Sequence, residues 1–137
     1  MKKTLLILFA VLFITAGVTW FYVFHKPKTD YKKTAPDYTV NAEQLYKTYI
    51  AGNGNKYNGK VLSISGIANN AEYTDSIITV IFVFNEGMFG DEGIRCSFLP
   101  EYNNRLKDIT FPAQINIKGF CAGYNETDII MEYCSLQ

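Results

Sequence analysis

Apolar and polar positions divide this 137-residue chain into three stretches, each with its own period. Thr4 to Phe24 is apolar throughout, 21 residues without a charge. As a helix that is long enough to cross a hydrocarbon core of about 30 Å. From Asn41 to Ile50 the apolar positions recur at helical spacing. Ala42, Leu45 and Tyr49 share one face, with Tyr46 and Ile50 alongside. Asn41 suits the N-cap, with Gln44 three residues on as its reciprocal partner, and Gly52-Asn53-Gly54-Asn55 ends the helix. Beyond Gly59 the period falls to two. Strands are predicted over 60–68, 77–84, 93–99, 113–121 and 128–136. Their separators are rich in turn residues: Asn69-Asn70, Glu86-Gly87 through Gly93, and Tyr124-Asn125-Glu126.

Two of these strands end alike. Leu62 and Ile64 precede Gly66 on the buried face of the first, as Ile115 and Ile117 precede Gly119 on the fourth. Glycine there suits a bulge or a sharp bend at a barrel corner. Strand 77–84 is apolar on both faces, so its second face must be covered by the Leu45/Tyr49 helix, a partner or the bilayer surface. Pro100 to Pro112, containing Tyr102-Asn103-Asn104-Arg105-Leu106, has room for one or two helical turns.

The chain thus divides into an N-terminal transmembrane signal-anchor (1–25), a basic tether (26–37) and a folded domain (38–137). The alternative for the first part is a cleaved signal peptide, with Ala16-Gly17 as the small-residue site. The anchor is preferred, because it places Trp20-Phe21-Tyr22 in an interfacial aromatic belt. Lysines flank the apolar stretch on both sides and do not choose an orientation. The short head before it resembles that of a signal-anchor, which exports the C-terminal part of its chain. Net charge is zero, but unevenly spread: residues 1–36 carry six lysines against Asp30, a charge of +5, and the remainder is −5. The folded part is acidic.

Three strands, a short helix and two further strands is the order of an OB-fold, a five-stranded barrel. The chain resembles the OB-fold family named for likeness to the tRNA-anticodon-binding domain, which includes small exported or membrane-anchored bacterial proteins. The resemblance runs through the Asn41–Ile50 helix, Tyr57-Asn58-Gly59-Lys60 entering Leu62-x-Ile64-x-Gly66, and Cys96-Ser97-Phe98. It continues through Ile115-x-Ile117-Lys118-Gly119-x-Cys121-x-Gly123 and the closing Asp128 to Leu136. It implies a mainly β, five-stranded barrel with a helix before strand 1 and a short helix between strands 3 and 4. It implies no activity. OB-folds bind on the face of strands two and three and the adjoining loops, which here selects Tyr73, Phe82, Phe84, Arg95, Phe98 and Tyr124 as candidate ligand residues. Each also has core packing as an ordinary role. Strand five of such a barrel lies between strands three and four, so Cys134 could form a disulfide with Cys121 or Cys96. Cys121–Cys134 is preferred, although the hairpin centre puts Cys121 opposite about residue 131.

Catalytic chemistry is sparse. The single histidine, His25, abuts the apolar stretch, which excludes Ser-His-Asp and Cys-His arrangements and paired-histidine metal sites from the domain. No C-x-x-C pair suggests zinc. Glu86, Asp91 and Glu92 lack the alternating ligand pattern of a calcium loop and read as a solvated turn. Asn125-Glu126-Thr127 matches a glycosylation triplet that also arises by chance. We therefore expect a non-enzyme without cofactor or metal, anchored through residues 4–24, that binds an envelope protein, peptide or glycan. Single-stranded nucleic acid is the alternative ligand. The fold invites it, but the charge of −5 opposes it even if Lys60, Arg95 and Lys118 form a local basic patch. A structural subunit of an envelope assembly is the third reading.

Overall fold

A computed structural model describes residues 1–25 and 29–137. Lys26, Pro27 and Lys28 of the expected tether lie outside the described residues. The apolar stretch forms α1 (Lys2–Phe24), one helix long and apolar enough to span a membrane, with no residue buried against the rest of the chain. The other elements, in order, are β1 (Tyr38–Asn41), α2 (Ala42–Ile50), β2 (Val61–Ala68), β3 (Asn70–Thr74), β4 (Ile77–Gly87) and β5 (Gly90–Phe98). A short α3 (Asn103–Lys107) comes next, then β6 (Ala113–Tyr124) and β7 (Asp128–Leu136).

The strands form one seven-stranded sheet in the order β1-β2-β6-β7-β5-β4-β3. The five expected strands are present as β2, β4, β5, β6 and β7. The count of five is corrected to seven by β1 and β3, both of which sequence patterning missed for a physical reason. β1 is four residues long and pairs in parallel with β2, its entry fixed when Asp37 exchanges bonds with Val61 (Asp37 N–H to Val61 O, 2.7 Å; Val61 N–H to Asp37 Oδ2, 2.9 Å). β3 hides behind Asn69-Asn70, where only Asn69 breaks the strand. Asn69 donates its N–H to Ile81 O and accepts the Val83 N–H on Oδ1, both at 2.8 Å, so one side chain substitutes for the lost ladder at the bend. Before Asn69 the chain pairs with β6; after it, with β4.

The expected turn at 86–93 is likewise shorter than its glycines suggest. The β4–β5 ladder continues through Glu86↔Asp91 to Gly87↔Gly90, leaving only Met88 and Phe89 in the turn. Glu86, Asp91 and Glu92 therefore lie on paired strands, not in a solvated loop.

α2 covers one end of the sheet. Asn41 caps it by accepting the Glu43 N–H at 2.9 Å, and Ala42, Leu45, Tyr46 and Tyr49 are buried, the face its spacing predicts. Gly66 matters here, because a Cβ at that position would lie 2.9 Å from the Ala42 Cβ. The glycine lets the helix start sit directly on the sheet. The core beneath combines Leu62, Ile64, Val80, Phe82, Ile117 and Met131. Of the second apolar face of β4, Ile81 is only 4% exposed, placed between Asn70 and Arg95 in the ladder, whereas Ile77 remains open.

β7 carries one residue too many for both its neighbours. Tyr133 and Cys134 together stand opposite the single Gly119 of β6, and Glu132 and Tyr133 opposite Ser97 of β5. Tyr133 absorbs the extra residue with φ +53°, a left-handed conformation that costs an aromatic residue on the order of 1–3 kcal/mol. Gly119 makes room: a Cβ there would come within 2.6 Å of Cys134 Sγ.

Candidate functional site

The six candidate ligand residues do not converge on one surface. Phe82 and Phe98 are corrected to core residues: both are buried, and Phe98 packs edge-on to Tyr102. They follow the inward phase of β4 and β5. Phe84 and Tyr124 are half-buried beneath α2, where Phe84 stacks on Tyr46 (5.3 Å between ring centres) and Tyr124 lies 5.5 Å from Tyr49. Of the six only Tyr73, on β3, is exposed, and Arg95 is half-buried like Phe84 and Tyr124. Arg95 is held between two carboxylates.

Arg95 Nε donates to Asp128 Oδ2 at 3.0 Å, and a second guanidinium nitrogen lies 3.3 Å from Glu72. Asp128 uses its other oxygen to accept the Gly93 N–H at 3.0 Å. Burial alone would lower the Arg95 pKa, but the bonds to Asp128 and Glu72 outweigh it and raise it. The cluster fastens β5 to the start of β7 and leaves little positive charge facing outward. Lys118, expected in a basic patch, donates instead to the Lys32 carbonyl at 2.7 Å.

The thiols are equally committed. Cys96, Cys121 and Cys134 are free and buried. The register sets Cys121 against Met131, and its sulfur lies 3.2 Å from the Tyr49 hydroxyl. Cys134 stands opposite Phe98 in the β5–β7 register and, like the other two thiols, is buried. Burial raises the pKa of Cys121 and, with Cys96, that of Cys134. Neither is disposed to act as a thiolate nucleophile at neutral pH. Burial, aided by Glu92, pushes Tyr46 up to about 12. Asn125 of the glycosylation triplet turns its side-chain oxygen back to accept the Thr127 and Asp128 N–H groups.

The surface features that do stand out lie at opposite ends of the β4–β5 hairpin, and of the sequence candidates only the buried Phe98 borders either of them. At the turn, Met88 and Phe89 are 92% and 96% exposed. Eleven residues of β4 separate them from the other end, about 36 Å at 3.3 Å per residue. There a groove of about 450 Å³ runs between Ile77, Phe98, Leu99, Pro100 and the bulged Tyr133. Beyond Tyr133 a second hollow is shared with Thr29 and Tyr31. Tyr31 spans the sheet here, its ring 5.1 Å from Phe120 and 5.0 Å from Tyr133. Lys32 forms an ion pair with Glu101 at 2.8 Å. The described part of the expected tether is thus packed on the domain. Sequence held one signal for this end: Met131 and Cys134 are both apolar at a spacing of three, which a regular strand cannot bury on one face.

No match is found among curated proteins. A family model described as tRNA_anti-like matches residues 1–135, nearly the whole chain. On that match over nearly its whole length, the chain belongs to the tRNA_anti-like family.

Proposed function

We propose that this chain is a membrane-anchored, non-catalytic binding module. Its domain is an OB-type barrel in which β2 and β3 act as one strand bent at Asn69. That strand pairs with β6 on one side of the bend and with β4 on the other, the arrangement that closes such a barrel. Its ligand is a protein outside the cytoplasm, and the contact is made through the β4–β5 turn.

The observation that carries this reading is the Met88–Phe89 pair. Two large apolar side chains stand almost fully in solvent on a turn bounded by Gly87 and Gly90, packing against nothing in their own domain. Exposed apolar clusters of this kind mark interaction sites. The adjoining strand ends carry Glu86 and Asp91, which suits an apolar pocket with a basic rim and opposes a phosphate backbone. Arg95 speaks against nucleic acid in the same way, because its charge is already met by Asp128 and Glu72.

A photo-crosslinking residue placed at Phe89 in living cells tests the proposal. A discrete protein adduct is expected from position 89 and none from exposed Lys107. Adducts to nucleic acid, or none that depends on Phe89, would end it.

A further inference from the structure

We infer that the Tyr133 end of the domain is itself a membrane-contact surface, seated on the bilayer that holds α1. The inference rests on the reading of α1 as an anchor and adds a face, an orientation and a device that sets it. The first observation is reach. α1 ends at Phe24 and the docked segment begins at Thr29, five residues on. At no more than about 3.6 Å per residue, Thr29 lies within roughly 18 Å of the helix end. The headgroup layer adds about 5–8 Å on each side of the hydrocarbon. The part of the domain next to Thr29 therefore cannot stand far from the membrane surface.

The second observation is what fixes which part that is. The segment after α1 does not hang free: Tyr31 packs on Phe120 and Tyr133, Lys32 pairs with Glu101, and the Lys32 carbonyl accepts from Lys118. These contacts to β6, β7 and the turn before α3 act as a strap. They present the end of the sheet that carries Leu99 and Tyr133, leaving the Met88–Phe89 turn about a strand length away.

The third is the chemistry of that end. Ile77 is 48% and Tyr133 49% exposed, beside half-buried Tyr31 and Leu99. Tyrosine with a partly solvated ring is the residue type enriched at membrane–water interfaces. The left-handed backbone at Tyr133 keeps its ring outward, where regular alternation after Met131 would turn it into the core. Charges at this end are mixed, Lys32 and Lys33 against Asp30, Glu101 and Glu132. The contact is accordingly assigned to aromatic and apolar side chains, with no requirement for anionic lipid.

Full-length protein reconstituted into phosphatidylcholine vesicles provides the test, with brominated acyl chains as the quencher of tryptophan emission. The native Trp20, the sole tryptophan, reports α1. In a Trp20→Phe background, Ile77→Trp reports the groove and Phe89→Trp the distal turn. Should Ile77→Trp disturb the start of β4, Tyr133→Trp reads the same end. We expect Trp20 to be quenched, position 77 to lose emission and shift to the blue, and position 89 to remain unquenched. Adding Tyr31→Ala should reduce the quenching at 77 while leaving that at Trp20 unchanged. An unquenched Trp20 would remove the anchor on which the inference stands. A quenched Trp20 with an unquenched position 77, or equal quenching at 77 and 89, would overturn the inference alone. So would quenching at 77 that is indifferent to Tyr31→Ala.

Discussion

The two ends of the β4–β5 hairpin both expose apolar side chains, but they are built differently. The Met88–Phe89 turn is bare: its side chains are nearly as exposed as a side chain can be, and its glycines let the ladder close within two residues. The Ile77–Leu99 end is furnished. A bulged strand, a strap from the preceding segment and an ion pair surround a groove. A bare apolar tip gains by burial in something else, whereas a furnished one already has its orientation. That difference is why we assign the first to a protein partner and the second to the bilayer beside the anchor.

Substitutions separate the scaffold from the two ends. Leu45→Ala, in the buried face of α2, should be the most costly, about 2–5 kcal/mol in urea unfolding of the domain. It should weaken both ends indirectly, through loss of folded protein. Gly119→Ala comes next. Its new methyl must displace Cys134 Sγ, and we expect a loss of about 1–3 kcal/mol. The consequence should be local: thiol accessibility at Cys134 and quenching at position 77 change, while crosslinking at 89 does not. Unchanged stability would mean that the β7 bulge relaxes freely.

The pH response probes the α2 end. Burial raises Tyr46 to about 12, and Tyr49 is raised as well, first by burial and then by its bond to Cys121. An unfolded tyrosine titrates near 10. The folded state therefore holds these protons more tightly; the stability from Tyr46 is complete below about pH 10 and lost between 10 and 12, and that from Tyr49 also declines above 10. Urea midpoints should hold level from pH 7 to about 8, begin to fall as unfolded thiols ionise near about 8.5 while the buried Cys121 and Cys134 do not, and fall further across the tyrosine window. Tyr46→Phe should shallow the fall, and a midpoint level to pH 12 would contradict the burial of both hydroxyls. The smallest effect is expected at the tip. Phe89→Ser should leave stability within about 0.5 kcal/mol, since the side chain packs on nothing, yet abolish partner capture. A large loss of stability there would show that the tip belongs to the fold.

Much of the fold is legible in the sequence. Period-two alternation places five strands, and helical spacing places α2 with its Asn41 cap, because both faces are simple and long enough to repeat. The glycines at 66 and 119 are legible as a bulge or bend, but not as the close approaches to Ala42 and Cys134 that the structure shows. The short strands are not. β1 offers four residues, and β3 begins with an asparagine that reads as a turn until Asn69 is seen bonding across to β4. The ligand face fails for another reason: outward and inward phases of β4 and β5 are both aromatic or aliphatic, so Phe82 and Phe98 could not be told from surface residues. The spacing of Met131 and Cys134 marks an irregularity in β7, but the outward turn of Tyr133 is not legible, because the bulge breaks the alternation from which its orientation would be read.

The most direct test uses the burial of the native thiols, which leaves an introduced surface cysteine as the reactive one. Ile77→Cys and Phe89→Cys would be exposed separately to a membrane-impermeant thiol reagent in intact spheroplasts and again in detergent. We expect rapid labelling of position 89 in intact spheroplasts, and labelling of position 77 that is slow there and speeds up in detergent. Equal rates at the two positions, or labelling of 89 only after lysis, would contradict that expectation.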